Sequence, residues 1–186
     1  MSVPDPPMLP PNLPVPDDDG AAEHLRGTHV SPIRLPATDG EVVVGQPPGP
    51  TVLFCYPRLG HPEAAPLVPH WDLIPGARGC TLQACGFRDW HAEFAAMGVQ
   101  VLGASTEESA YQREAAERLA LPFPLVSDAR LRLARAWRLP VFEVAGRVLL
   151  RRLTMLLRDG MVERVWYPVF PPDRHATEVL DSLRRG

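Results

Sequence analysis

The chain has 186 residues, of which 45% are hydrophobic and 22% are charged, a composition typical of one globular domain with a sizeable core. Its net charge of -3 gives no general attraction to a nucleic-acid backbone or an anionic membrane, and no run approaches the roughly 18 apolar residues that cross a bilayer. From these two features we expect a protein that binds neither nucleic acid nor membrane. Three clustered cysteines do not fit a secreted disulfide framework, so we expect a cytoplasmic location.

Residues 1–20 are predicted to form a flexible arm. Seven prolines and an acidic run at 17–19 leave too few apolar side chains to offset the entropy lost on ordering. The arm has neither the basic start nor the apolar segment of a signal peptide, so we do not interpret it as one. Residues 21–186 are predicted to form a single domain.

Strand and helix patterns alternate along this domain. β-rich runs predict strands at 41–44, 51–56, 99–103, 123–126, 148–157 and 161–167, the last two joined by an Asp-Gly turn. Helical patterns are found at 80–97, 107–119, 127–137 (capped by Ser127-Asp128) and 172–183. Residues 59–75, with four prolines, predict a long loop of the kind that often lines a site. The alternation predicts an α/β sandwich with a mixed sheet.

Cys80 is the first candidate for chemistry. It follows a buried strand and a Gly/Pro turn, and it falls in the first turn of a predicted helix, where unpaired N–H groups and the helix dipole favour a thiolate. Arg78 could add a cation. Free cysteines are often buried and inert, which is our interpretation of Cys55 in its predicted central strand. For Cys80, the glycines and a second cysteine, Cys85, favour reactivity.

The spacing of Cys80 and Cys85 limits what the pair can do. On an intact helix, Cα atoms five residues apart lie roughly 8–9 Å from each other. A disulfide needs Cα atoms within about 7 Å, so the two cysteines can join only if the first helical turns unwind. Zinc sites space their ligands more closely and need four of them, and the six histidines show no such pairing, so we expect no metal.

The segment Gly79-Cys-Thr-x-x-Ala-Cys-x-Phe-Arg-Asp89 resembles the peroxidatic helix of the peroxiredoxin Q family, also called bacterioferritin comigratory proteins. The resemblance extends from about residue 27 to residue 183. Further matches follow in order along the chain: Tyr56-Pro57, Gly103-x-Ser105, Leu125-x-Ser127-Asp128 and Arg152-x-Thr154.

This resemblance implies a thioredoxin-like fold and a thiol peroxidase that reduces hydrogen peroxide and organic hydroperoxides. By position, Cys80 is similar to the peroxidatic cysteine, which becomes a sulfenic acid, and Cys85 to the resolving cysteine, which condenses with it to an intramolecular disulfide. Arg152 matches the arginine that stabilises the thiolate. Thioredoxin or a similar dithiol protein would reduce the disulfide, with no metal or organic cofactor. We expect a monomer or a weak homodimer.

Two arginines compete for the role of Arg152. Arg151 and Arg152 are adjacent on a predicted strand, so only one can face the pocket, and Thr154 two places on favours Arg152. The chain also departs from the family motif, because Ala77 stands where the motif has a threonine that orients the peroxide. A backbone amide could replace that hydroxyl, and Thr81 is expected to help cap the helix instead.

Two other functions remain open from the sequence. The missing threonine favours a redox-sensing or regulatory protein, in which the cysteine pair switches conformation and the arm engages a partner. A disulfide oxidoreductase is disfavoured, because such enzymes use a Cys-x-x-Cys spacing that is closer than the one here.

Overall fold

The computed structural model describes residues 8–46 and 48–186. Within them, strands β1 to β9 cover Ile33–Ala37, Gly40–Val44, Thr51–Cys55, Gln100–Ser105, Leu125–Ser127, Val141–Val144, Arg147–Leu150, Leu153–Arg158 and Met161–Trp166. Helices α1 to α5 cover Cys80–Asp89, His91–Ala96, Ser109–Arg118, Arg132–Trp137 and His175–Arg184.

Seven strands form one mixed sheet in the order β2-β1-β5-β4-β3-β8-β9, in which β3, β4 and β5 run parallel and the remaining pairs are antiparallel. The β3 strand is buried along its whole length, which suits its apolar sequence. Val52 and Phe54 pack into a cluster on one face, and Leu53 and Cys55 into a cluster on the other. The predicted mixed sheet, its central strand and the burial of Cys55 are confirmed.

Helices cover both faces of this sheet. Side chains of α1, α2, α3 and α5 pack into the cluster that contains Phe54, and side chains of α4 pack into the opposite cluster. The resulting three-layer architecture is that of a thioredoxin-like fold, as expected. No helix among the described residues has the length and apolar character that a membrane span needs.

Some predicted boundaries are wrong. The helix predicted at 80–97 is two helices, α1 and α2, which meet at Trp90. The strand predicted at 148–157 is also two, because β7 pairs with β6 in a separate two-stranded sheet whereas β8 pairs with β3 and β9. The chain changes sheets at Arg151 and Arg152, so the expectation that these two residues share a strand is wrong. Strands β1 and β6 were not predicted.

Three further predictions concern the cap of α4, the long loop and the amino-terminal arm. The helix predicted at 127–137 begins only at Arg132, and its N-cap residue is Leu131 rather than Asp128. The Asp128 carboxylate nevertheless accepts the N–H groups of Leu133 and Ala134 in the first turn of α4, at 2.9 and 2.8 Å. The predicted loop at 59–75 has no strand and a single 3-10 turn, Trp71–Leu73. Residues 1–7 of the predicted arm lie outside the described residues, and 8–20 form neither helix nor strand. The flexibility of the arm stays a prediction.

Candidate active site around Cys80

A turn at residues 76–79 places Cys80 at the first position of α1. Gly76 and Gly79 have φ angles of 76° and 98°, which glycine adopts without strain. A side chain on Gly79 would also collide with Pro172, because an ideal Cβ there lies 2.4 Å from the proline Cγ. The N–H groups of the first helical turn have no acceptor within the helix, and together with the helix dipole they favour negative charge at this end. The predicted position of Cys80 in the first turn is confirmed.

The sulfur of Cys80 contacts a buried cation. Its side chain is 2% exposed, and the Nη2 atom of Arg152 lies 3.1 Å from Sγ. The thiol also lies 3.5 Å from the carbonyl oxygen of Ala77, to which it donates. A guanidinium group at this distance stabilises an anionic sulfur over a neutral one. The geometry therefore brings together two of the three residues that the sequence pointed to.

Arg152 is held from two sides. It is 3% exposed and lies in the short connection between β7 and β8. Its Nη2 donates to the carbonyl oxygens of Gly76 at 3.1 Å and Arg78 at 3.0 Å, and its Nη1 donates to Oε1 of Gln83. These contacts fix the guanidinium plane against the turn that precedes Cys80. Arg78, which the sequence offered as a second cation, contributes its backbone carbonyl to this arrangement.

Gln83 and His175 were missed by the sequence analysis. Gln83 is fully buried and lies three residues after Cys80 on α1, a spacing that places both on one helix face and could have drawn attention to it. His175 is also buried, and its Nε2 lies 2.8 Å from the Thr154 hydroxyl and its Nδ1 3.2 Å from the Glu178 carboxylate. Burial lowers the pKa of His175, because the imidazolium form loses its hydration.

A cleft of about 340 Å³ opens onto Cys80. Residues 58–67, from the end of β3 into the predicted long loop, form one wall, and residues 77–82 form another. Tyr111 and Arg118 from α3 complete it. The expectation that the loop lines a site is confirmed for its first half and for Trp71. A sulfur at the base of an open cleft, beside a cation and a helix start, can act as a nucleophile toward a small molecule.

Cys85 lies apart from the Cys80 sulfur in this structure. Both cysteines are free thiols on the continuous helix α1, and Cys85 is 2% exposed. Burial raises the pKa of the Cys85 thiol, so it is held neutral. The structure therefore shows the dithiol form, in which the two sulfurs cannot bond until part of the helix unwinds. The described residues contain no group of side chains arranged to bind a metal ion.

Known proteins are similar to this chain in sequence and in fold. The AhpC/TSA family model matches residues 73–164. The crystal structure of peroxidoxin BcpB from Mycobacterium tuberculosis has 30% sequence identity and a TM-score of 0.70, and the match covers 87% of this chain and 97% of that one. The chain belongs to the peroxiredoxin Q family.

Further proteins of the peroxiredoxin Q family, from plants and from a bacterium, are also similar to this chain. Chloroplastic peroxiredoxin Q from Sedum lineare is 29% identical over 160 residues, which cover 83% of this chain and 84% of the relative. Chloroplastic peroxiredoxin Q from Oryza sativa subsp. japonica is 31% identical over 122 residues, 66% of this chain but only 56% of the rice protein. A structure of the bacterioferritin comigratory protein of Xanthomonas campestris, at 24% identity and a TM-score of 0.65, shares the fold and covers 82% of this chain and 90% of that one.

Ala77 marks the departure from the peroxiredoxin Q motif. Its methyl side chain is 1% exposed and offers no hydroxyl, whereas its carbonyl oxygen accepts from both Cys80 and Arg152. Thr81 does not cap α1 as expected, because the capping position is Gly79, which makes no side-chain capping bond. Thr81 lines the cleft instead. Backbone amides and Arg152 are therefore the donors that this chain offers beside the sulfur.

Glu107 supports the cleft wall from behind. It is 1% exposed, accepts from Arg58 Nη1 at 2.7 Å and accepts from the backbone N–H of Leu59 at 3.2 Å. Arg58 in turn lies over the ring of Tyr111, with 4.4 Å between its Cζ and the ring centroid. Burial raises the pKa of Glu107 to about 7, although the Arg58 cation opposes the shift.

This raised pKa predicts a pH-dependent stability. Between the ordinary value and about 7, the folded state binds more protons at Glu107 than the unfolded state, so the free energy of unfolding falls as pH rises through that range. The fall is at most about 1.4 kcal/mol per pH unit. We expect Glu107→Gln to lose this dependence in urea unfolding measured at a series of pH values. Glu108→Gln, at the exposed neighbouring position, controls for the loss of one carboxylate. Parallel pH curves for Glu107→Gln and the wild type would contradict the prediction.

Proposed function

We propose that this protein is a thiol peroxidase in which Cys80 reduces hydrogen peroxide and small organic hydroperoxides. The observation that carries the proposal is the 3.1 Å contact between Cys80 Sγ and Arg152 at the start of α1, beneath an open cleft. Membership of the peroxiredoxin Q family supports the same chemistry. We also propose a cytoplasmic location, which the sequence suggests.

In the first step the Cys80 thiolate attacks the terminal oxygen of the hydroperoxide. The new S–O bond forms as the O–O bond breaks, so sulfur is oxidised to a sulfenic acid and the peroxide is reduced to an alcohol, or to water when the substrate is hydrogen peroxide. Negative charge moves from sulfur onto the leaving oxygen, which then takes a proton. Arg152 and the first-turn amides of α1 face that charge and stabilise it.

In the second step Cys85 attacks the sulfenic acid. The Cys80–Cys85 bond forms as the S–O bond breaks and water leaves. The disulfide keeps the two-electron oxidation that the peroxide carried out in the first step. The amino-terminal turns of α1 must unwind for this bond, because the carboxyl-terminal half is fixed. Gly86 packs directly against Ala176 of α5, and Arg88 donates to the carbonyl of Leu119 at 2.9 Å. A thioredoxin-like dithiol protein then reduces the disulfide by thiol exchange and is itself oxidised.

Mass spectrometry after one equivalent of hydrogen peroxide tests both steps. We expect the wild-type protein to gain a Cys80–Cys85 disulfide while Cys55, buried in β3, stays a free thiol. In Cys85→Ser, Cys80 should stop at the sulfenic acid after a single turnover, and thioredoxin should not recycle it. Cys55→Ala is the matched control and should behave as the wild type. A disulfide that includes Cys55, or a Cys80 that stays reduced, would refute the mechanism.

Ala77 favours a second candidate, a redox sensor. Without the motif hydroxyl, the site has one fewer donor for the peroxide, so oxidation of Cys80 could serve as a slow signal rather than as turnover. Stopped-flow measurement of Cys80 oxidation in the Cys85→Ser protein separates the two. A rate well above that of a free thiol supports the peroxidase, and a rate equal to it supports the sensor.

A further inference from the structure

Residues 9–19 pack against the turn that precedes Cys80, and we refer to them as the strap. Leu13 and Pro14 border a narrow cavity that is also lined by Arg78 and Phe170. Pro16 borders a second one with Tyr167. Arg152 lines both cavities, although it does not line the open cleft. The strap therefore covers the guanidinium group on the side that substrate does not approach.

The strap contacts the two glycines that shape the turn before Cys80. A Cβ added to Gly79 would lie 3.1 Å from Leu9 Cδ2, and one added to Gly76 would lie 3.7 Å from Pro16 Cβ. Both glycines thus have strap side chains packed against their backbone. Since the carbonyl of Gly76 also accepts from Arg152, both the strap and the guanidinium hold the turn.

A hydrogen bond fixes the far end of the strap. The Tyr167 hydroxyl donates to an Asp19 carboxylate oxygen at 2.8 Å. This bond lowers the pKa of Asp19, as expected for a carboxylate stabilised by a donor. The attachment is a few side-chain contacts and one exposed hydrogen bond, so it is weak enough to open and close in the folded protein.

We propose that the strap is docked in the dithiol form and is released when the Cys80–Cys85 disulfide forms. The inference rests on the disulfide step of the proposed function. Because packing against α5 fixes the carboxyl-terminal half of α1, Cys80 is the cysteine that moves, and residues 76–79 move with it. The surface that Leu9 and Pro16 contact is made of this turn, so it is lost when the turn rearranges.

Coupling of this kind is reciprocal. If the disulfide weakens docking of the strap by some factor, then the docked strap disfavours the disulfide by the same factor, and weakening the strap favours the disulfide. The strap would therefore set how readily the oxidised form is reduced, without contacting either substrate. Its part is to position the turn.

Redox equilibrium provides the test. We expect Leu9→Ala and Tyr167→Phe each to raise the equilibrium constant for the Cys80–Cys85 disulfide by about three- to tenfold, the effect of losing one apolar contact or one hydrogen bond. The proteins are equilibrated in glutathione buffers without peroxide, and the disulfide is counted by mass spectrometry. Met8→Ala is the control, because Met8 is 89% exposed. Proteolytic cleavage of the wild type at the aspartate run 17–19 should be faster in the disulfide form than in the dithiol form, because release of the strap frees its backbone.

The outcomes distinguish this inference from the proposed function. If the disulfide forms but the strap variants share the wild-type equilibrium and cleavage of the strap is unchanged, the coupling is wrong and the peroxidase proposal is unaffected. If no Cys80–Cys85 disulfide forms in any buffer, both the coupling and the second catalytic step are wrong. Peroxide consumption, measured separately, reports on the first step alone.

Discussion

Replacing Cys80 with serine is expected to abolish steady-state peroxide consumption, a loss of roughly a thousandfold or more, as for other enzymes deprived of their nucleophile. A serine hydroxyl keeps the shape of the side chain but remains protonated near neutral pH, so it offers no anion to attack the O–O bond. The measurement is peroxide consumed per protein molecule with thioredoxin and its reductase in excess.

The other two cysteines provide the comparison. Cys55→Ala should keep wild-type turnover, because Cys55 lies in the centre of the sheet with no access to the cleft. Cys85→Ser should reduce peroxide once per molecule and then stop. Steady-state turnover by Cys80→Ser at the wild-type rate would show that the protein is not a thiol peroxidase that uses Cys80.

Arg152→Met is expected to slow the reaction with peroxide by about a hundred- to a thousandfold, the usual cost of removing a donor that stabilises charge in the transition state. The substitution removes the cation 3.1 Å from Sγ while keeping an unbranched side chain. Its effect should appear in the rate of Cys80 oxidation. Arg152→Lys keeps the charge but not the forked donors, and we expect an intermediate rate.

Arg151→Met is the matched control, since Arg151 is the neighbouring arginine and donates to the Val141 carbonyl at the protein surface. Circular dichroism and thermal unfolding of Arg152→Met show whether the turn carbonyls tolerate the loss of their donor. If Arg152→Met, folded and stable, reacted at the wild-type rate and Arg151→Met did not, the assignment of the cation would be wrong.

Local sequence signals were enough for the nucleophile's position. The glycines before Cys80 and the helical pattern after it are contained within one short segment, so the structure confirms the helix start. The sequence favoured Arg152 over Arg151, and Arg152 is indeed the residue beside the sulfur. The reason given, alternation along one strand, is wrong because the chain changes sheets at these two residues. The apolar residues on either side of Arg151 and Arg152 hid this change, since the end of β7 before them and nearly all of β8 after them are buried.

The contacts around the arginine depend on tertiary packing and were not predictable locally. Gln83 resembles any polar residue of a short helix until Arg152 is placed beside it. His175 comes from the last helix and meets Thr154 only once α5 packs against the sheet. The strap illustrates the same limit, because its prolines predict an irregular chain but do not indicate where that chain lies.

The close approach of Gly86 to Ala176 has a kinetic consequence. Starting a helix is costly, whereas adding residues to an existing one is not. If the half of α1 beyond Cys85 stays folded against α5 throughout the cycle, it is a ready template onto which the preceding residues can wind back after reduction. Elongation takes on the order of nanoseconds per residue. The rate at which the reduced, active form is regenerated would therefore be limited by the thiol chemistry and not by refolding of α1.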